Sequence, residues 1–78
     1  MPRYFFHVRD SAEIIDDVGV ELASPDEARA VAVINSGEAL RDLGLKFWAS
    51  PEWLTWVTDE RGATVCALSF SAESPAAT

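Results

Sequence analysis

The sequence predicts an α+β fold, a four-stranded antiparallel sheet in ββαββ order with one helix packed on one face. Three observations carry this. Segments rich in aromatic and branched residues with a period of two lie at both ends of the chain. One capped helical segment lies between them, and a turn, Asp59-Glu60-Arg61-Gly62, separates the last two apolar runs. With 78 residues there is room for one hydrophobic core, so residues 1–72 read as a single domain and 73–78 as a flexible tail.

Strand one is Arg3 to Arg9, in which Tyr4, Phe6 and Val8 share one face and Phe5, His7 and Arg9 the other. A second extended segment from Ile14 to Leu22 returns beside it, with Gly19 marking a bulge or tight bend and Val18, Val20 and Leu22 on one face. Ser24-Pro25-Asp26-Glu27 is the strongest local signal. Ser24 suits a cap, Pro25 the first helical position, and Glu27 the return bond of a capping box. The helix then runs to Leu43, where Gly44 follows as a left-handed cap. Its apolar stripe is Ala28, Val31, Ala32, Ala39 and Leu43, flanked by Val33 and Leu40, with Asn35 and Ser36 near the same side and Ile34 on the polar side. Lys46 to Pro51 reads as a loop whose Phe47 and Trp48 fold back over an edge of the core.

Glu52 to Thr58 and Ala63 to Ser71 form the closing hairpin. A four-residue loop pairs Thr58 with Ala63 and expects a positive φ at Gly62. Trp53, Thr55 and Val57 then share a face with Cys66, Leu68 and Phe70, while Leu54, Trp56 and Val65 lie opposite. A three-residue loop, the alternative, regroups them.

Little in the chain offers chemistry. Glu13, Asp16, Asp17 and Glu21 with His7 could hold a divalent cation, but their spacing matches no ion loop. His7 with Asp10 is the one acid–base pair in sequence, and a strand histidine with a structural hydrogen bond is the commoner arrangement. Cys66 sits inside an apolar strand without a neighbouring cation to activate it. Tyr4, Phe5, Phe6, Trp53 and Trp56 could stack bases, yet a net charge of −7 repels phosphate backbones. The expectation is therefore a non-enzymatic protein with no cofactor and no metal. It has no membrane segment and a cytoplasmic location, since no apolar run approaches the ~20 residues a span requires.

The positive signal is surplus apolar surface. One helix covers one side of a sheet, while both sides of the hairpin strands carry large apolar residues. A homodimer with Phe5, Leu54, Trp56 and Val65 at its interface, and Ile34 as a secondary contact, would bury that surplus. An unidentified protein partner is the other way to cover it.

Pro2-Arg3-Tyr4-Phe5-Phe6-His7-Val8-Arg9-Asp10, Asp17-Val18-Gly19-Val20-Glu21-Leu22, Pro51-Glu52-Trp53 and Thr58-Asp59-Glu60-Arg61-Gly62 resemble a family of small proteins from rhizobia and related alphaproteobacteria. That family is catalogued as domain of unknown function 6894. The resemblance covers residues 2–73 and implies a bacterial, cytoplasmic protein without assigned catalytic residues. The order of elements is also similar to the sheet-plus-helix folds of some antitoxins, which implies as an alternative a domain that binds a small protein or RNA partner. A metal- or small-molecule-binding domain is the third reading.

Overall fold

The computed structural model describes residues 1–49 and 51–75. Strands β1 (Arg3–Arg9), β2 (Glu13–Ile14) and β3 (Val20–Glu21) precede helix α1 (Pro25–Leu43) and a short 3₁₀ helix (Gly44–Ala49); β4 (Glu52–Thr58) and β5 (Thr64–Ser71) follow. All pairings are antiparallel. The sheet order is β2-β1-β4-β5, with β3 also pairing with β1. The α+β architecture stands as predicted, but the sheet has five strands and not four.

The fifth strand arises because the second extended segment does not run beside β1 without a break. Ile14 lies opposite Val8 and Val20 opposite Tyr4. Between these pairs β1 has three residues, 5–7, and the returning segment five, 15–19. Two residues too many for a ladder force the segment out of it. The Asp16 carboxylate then takes the place of a backbone acceptor: its Oδ2 receives the Phe6 N–H at 3.1 Å. Asp16 Oδ1 receives the N–H groups of Val18 and Gly19 at 3.0 and 3.1 Å, which tightens the detour into a compact loop. Of the three residues expected on one buried face only Leu22 is buried, while Val18 and Val20 are exposed.

The helix has the predicted bounds. Ser24 Oγ accepts the Glu27 N–H at 3.1 Å, Pro25 opens the first turn, and Gly44 donates its N–H to the Leu40 carbonyl. Ser24→Ala removes that acceptor and is expected to cost about 1 kcal/mol. Ser24→Asp should retain most of it; thermal melts of the three proteins check both. The buried helix positions are Ala28, Ala32 and Ser36, one turn apart. Ser36 enters the core because its hydroxyl donates to the Ala32 carbonyl at 2.7 Å and leaves no polar atom unpaired. Val33, expected at the flank of the stripe, is exposed, and so is Ile34.

Small residues on this face let α1 lie close across β4 and β5. The core comprises Tyr4, Leu22, Ala28, Ala32 and Val57, with Phe6, Val31, Val65, Cys66 and Leu68 packed against it. The 3₁₀ helix replaces the expected loop. Phe47 is half-buried and meets Trp48 edge-on at 6.2 Å, and Trp48 is 50% exposed. Ser50, in the same expected loop, lies outside the described residues.

In the closing hairpin Thr58 pairs with Thr64 and not with Ala63. The turn is longer because the Asp59 carboxylate accepts the N–H groups of Arg61 and Ala63, and Asp59 itself donates to the Ala63 carbonyl. Gly62 has the expected positive φ, 81°. Between Val57 and Thr58 the partner changes from Cys66 to Thr64, so Val65 is an extra residue in a bulge. Beyond it the predicted grouping holds, with Trp53, Thr55 and Val57 opposite Phe70, Leu68 and Cys66. The bulge turns Val65 against the core, away from the far-face position that regular alternation gives it. Glu73 to Pro75 follow β5 without regular structure, and the rest of the predicted tail, 76–78, lies outside the described residues.

Candidate functional site

With α1 on one side, the sheet has a second face whose rows follow from the register. His7 lies opposite Trp56, which lies opposite Ala67. Arg9 lies opposite Leu54, which lies opposite Ser69. Phe5 lies opposite Thr58, which lies opposite Thr64. Phe5, Leu54 and Trp56 are each half-buried, and Ala67 and Ser69 are exposed. This is the predicted apolar surplus, concentrated on one side of the molecule. Val65 and Ile34 are not part of it: one packs against the core, the other is 59% exposed on the helix.

His7 is the buried centre of this face. Its ring lies against the Trp56 indole, with centroids 5.1 Å apart and planes inclined by 34°. Nε2 is 2.8 Å from Thr58 Oγ1, and Nδ1 accepts the Asp16 backbone N–H at 3.1 Å. Because Nδ1 is engaged as an acceptor, the ring proton resides on Nε2 and is donated to Thr58. A ring in that tautomer holds the Thr58 hydroxyl as an acceptor and is not poised to deprotonate it. His7 thus ties the 15–19 loop to β4. The histidine is a structural link between elements, with Trp56 packed on it.

Asp16 is the other half of that link. Burial raises its pKa, but the N–H donors of Phe6, Gly19 and Val18 outweigh that effect and hold the carboxyl below its ordinary range. Asp10, the acid expected beside His7, is elsewhere. Its carboxylate accepts the N–H groups of Ser11 and Ala12 in the β1–β2 turn, which lowers its pKa. The acidic residues considered for a cation are likewise dispersed. Glu21 pairs with Arg3 at 3.1 Å, Glu13 lies 4.0 Å from Arg9, and among the described residues no three Asp, Glu, His or Cys side chains converge. The aromatics proposed as a stacking platform are divided between the two faces: Tyr4, Phe6 and Trp53 lie on the helix side, Phe5 and Trp56 on the other. Cys66, a free thiol, packs against the core.

Two clefts of about 340 and 390 Å³ flank Asp10 and Trp53 at the end of β1. Trp53 and Phe70, 5.8 Å apart, line the first, and Phe47 and Leu43 the second. Arg9, Asp10, Glu52, Ser69 and Ser71 also line the first, and Asp10, Ser11 and Lys46 the second.

The family model for the Domain of unknown function DUF6894 matches residues 3–71. The chain belongs to the DUF6894 family. The match runs from the first residue of β1 to the last of β5, so the domain of this family is the whole sheet with its helix. No curated protein and no solved structure matches the chain. Among the described residues of this DUF6894 domain, no helix is long and apolar enough to cross a membrane.

The His7–Asp16 link was not legible in sequence, where Asp10 is the nearer acid. The signal that points to it is the count of residues between the two short strands, since a two-residue surplus beside a strand histidine has to fold out next to that ring.

Proposed function

We propose that this DUF6894 protein is a non-enzymatic protein-interaction or regulatory module that acts as a homodimer. The supporting observation is the one-sided sheet. Phe5, Leu54 and Trp56 lie together on the face that α1 does not cover, and Phe47 and Trp48, the other large apolar residues free to cover it, belong to a 3₁₀ helix packed at the end of α1. Burying a half-exposed Trp and Leu against a second copy is worth about 25 cal/mol for each Å² removed from water. A domain of this size has little other stabilisation to draw on. The electrostatics support the reading too. His7 and Asp16, the residues best suited to chemistry, hold each other and the backbone. A bacterial, cytoplasmic setting belongs to the same proposal and suits the unpaired Cys66.

Sedimentation at micromolar concentration tests it. The wild type should sediment at about twice the 8.5 kDa chain mass. Trp56→Glu should keep its far-UV circular dichroism while the dimer weakens at least tenfold, because a carboxylate at the contact would have to be desolvated. A monomeric wild type overturns the homodimer.

A further inference from the structure

β5 is one edge of the sheet among the described residues, the other being formed by the two-residue β2 and β3, and its eight residues, Thr-Val-Cys-Ala-Leu-Ser-Phe-Ser, include no charge and no proline. Natural edges are ordinarily guarded by such residues, by brevity or by a covering element. The chain has 19 charged residues in 78, so an uncharged strand of this length leaves one strip on which two acidic copies can meet without like charges in contact.

The phase of the backbone is determined. Ala72 donates to the Pro51 carbonyl, and the pair sits in line with Phe70–Trp53, Leu68–Thr55 and Cys66–Val57. In an antiparallel ladder alternate residues exchange their bonds, so Cys66, Leu68 and Phe70 turn their N–H and C=O toward β4. Ala67, Ser69 and Ser71 turn theirs outward. The other side of the sheet obeys the same phase, since the Phe6 N–H points away from β4 to Asp16. Every second residue of β5 therefore presents an unpaired donor and acceptor, and their side chains are small and exposed.

We infer that two copies join through their β5 edges, antiparallel, with the two-fold axis at Leu68 and Ala67 opposite Ser69 of the second copy. This rests on the homodimer proposed above for the association alone and places the contact at the strand edge, which covers Phe70 and comes within one strand of Trp56 but leaves Phe5, on β1, outside the seam. Only registers that place outward residues opposite one another form bonds, so the axis passes through a residue of the strand and not between two. An axis at Leu68 pairs Cys66 with Phe70 of the second copy, on the helix side. Phe70 is 38% exposed in one chain, and these closely spaced pairs would cover it. An axis at Ala67 would place Phe70 level with Ala63, past the bulge.

Charge complementarity favours a second copy as the occupant. In the Leu68 register, counted past the Val65 bulge, Glu73 falls level with Gly62, next to Arg61 of the other chain. Glu60 is already turned to the Arg3 N–H and Asp59 to its own turn, so Arg61 is the turn's outstanding charge. The contact occurs twice by symmetry. The helices fit as well: α1 lies across β4 and β5, and with strands about 4.8 Å apart the two helices would run side by side at about 10 Å, an ordinary packing distance. Trp56, one strand in from the seam, lies beside Ala67, whose small side chain leaves the indole free to reach the second copy.

The test combines Ser69→Pro with hydrogen exchange of the wild type. Proline removes an outward N–H and leaves the β4 ladder whole, so the variant should stay folded and dimerise at least tenfold more weakly. In the wild type, the amides of Ala67, Ser69 and Ser71 should be protected at high concentration and lose that protection on dilution. Those of Cys66, Leu68 and Phe70 should stay protected throughout. A wild type that sediments as a monomer removes the homodimer and this contact together. A wild-type dimer that Ser69→Pro leaves unweakened overturns the edge contact alone. If the variant fails to fold, the exchange decides: outward amides insensitive to dilution in a dimeric wild type also overturn it.

Discussion

Gly19→Ala is expected to destabilise the domain by about 2–4 kcal/mol. Gly19 has φ 73°, a conformation that costs an L-residue energy before any contact is considered. The space is closed as well. An added Cβ would lie 2.8 Å from Arg3 Cγ, 2.9 Å from Phe5 Cε1 and 2.9 Å from the Tyr4 carbonyl oxygen. Arg3 can move, but the Tyr4 carbonyl belongs to β1 and the Phe5 ring to the uncovered face. The Arg3 guanidinium also donates to the Val18 and Gly19 carbonyls and pairs with Glu21, so displacing it loosens the whole loop. A domain of this length has about 4–12 kcal/mol of stability in all. Gly37→Ala is the control, because its Cβ would meet nothing within 4 Å on a helix. It should raise stability by about 0.5–1 kcal/mol. Urea unfolding of the three proteins checks the contrast, and equal midpoints for wild type and Gly19→Ala would refute the account of the loop.

Asp16→Ala is expected to cost about 2–3 kcal/mol. Three backbone N–H groups, of Phe6, Val18 and Gly19, lose their acceptor, and the Phe6 amide sits inside a strand where little else can reach it. Asp16→Asn should cost about half as much. Its one oxygen can serve Val18 and Gly19, but its NH₂ then faces the Phe6 N–H, donor against donor. The pH dependence has a definite sign. The Asp16 pKa is lowered in the folded state, so its contribution is present above the unfolded-state value, near 4, and is lost as pH falls through the lower folded-state value. The difference in melting temperature between wild type and Asp16→Asn should therefore be constant above about pH 5 and shrink below about pH 4. A gap that persists at low pH would mean that the carboxylate charge is not what the loop uses.

Both variants bear on the contact between copies through one shared route, distinct from that of the edge. The loop that Gly19 and Asp16 shape supports His7, His7 supports Trp56, and Trp56 lies one strand from the free edge. Ser69 lies on the edge itself and shares no bond with the loop, so loop and edge variants should act independently on dimer strength.

Local chemistry was enough to read the helix and most strands from sequence. Ser24, Pro25 and Glu27 specify a helix start through bonds that reach three residues, Gly44 ends it, and the period-two runs of β1, β4 and β5 carry their own faces. The grouping of Trp53, Thr55 and Val57 with Cys66, Leu68 and Phe70 depends only on parity, and it survived because the longer turn and the Val65 bulge each add one residue, a net shift of two. What sequence left open involves groups competing for one partner across the fold. Whether residues 15–19 stay in the ladder depends on where Ile14 and Val20 pair with β1, and once they leave it a side-chain carboxylate outcompetes a carbonyl for the Phe6 amide. The choice of Asp16 over Asp10 as the neighbour of His7 follows from that detour, as does the histidine's tautomer. Ser36 over Val33 inside the core is a matter of how close α1 lies to the sheet, which admits a small hydroxyl bonded to its own helix and leaves a branched side chain outside. The free edge of β5 is likewise a property of strand order, because a strand's own residues do not reveal whether it has one neighbour or two.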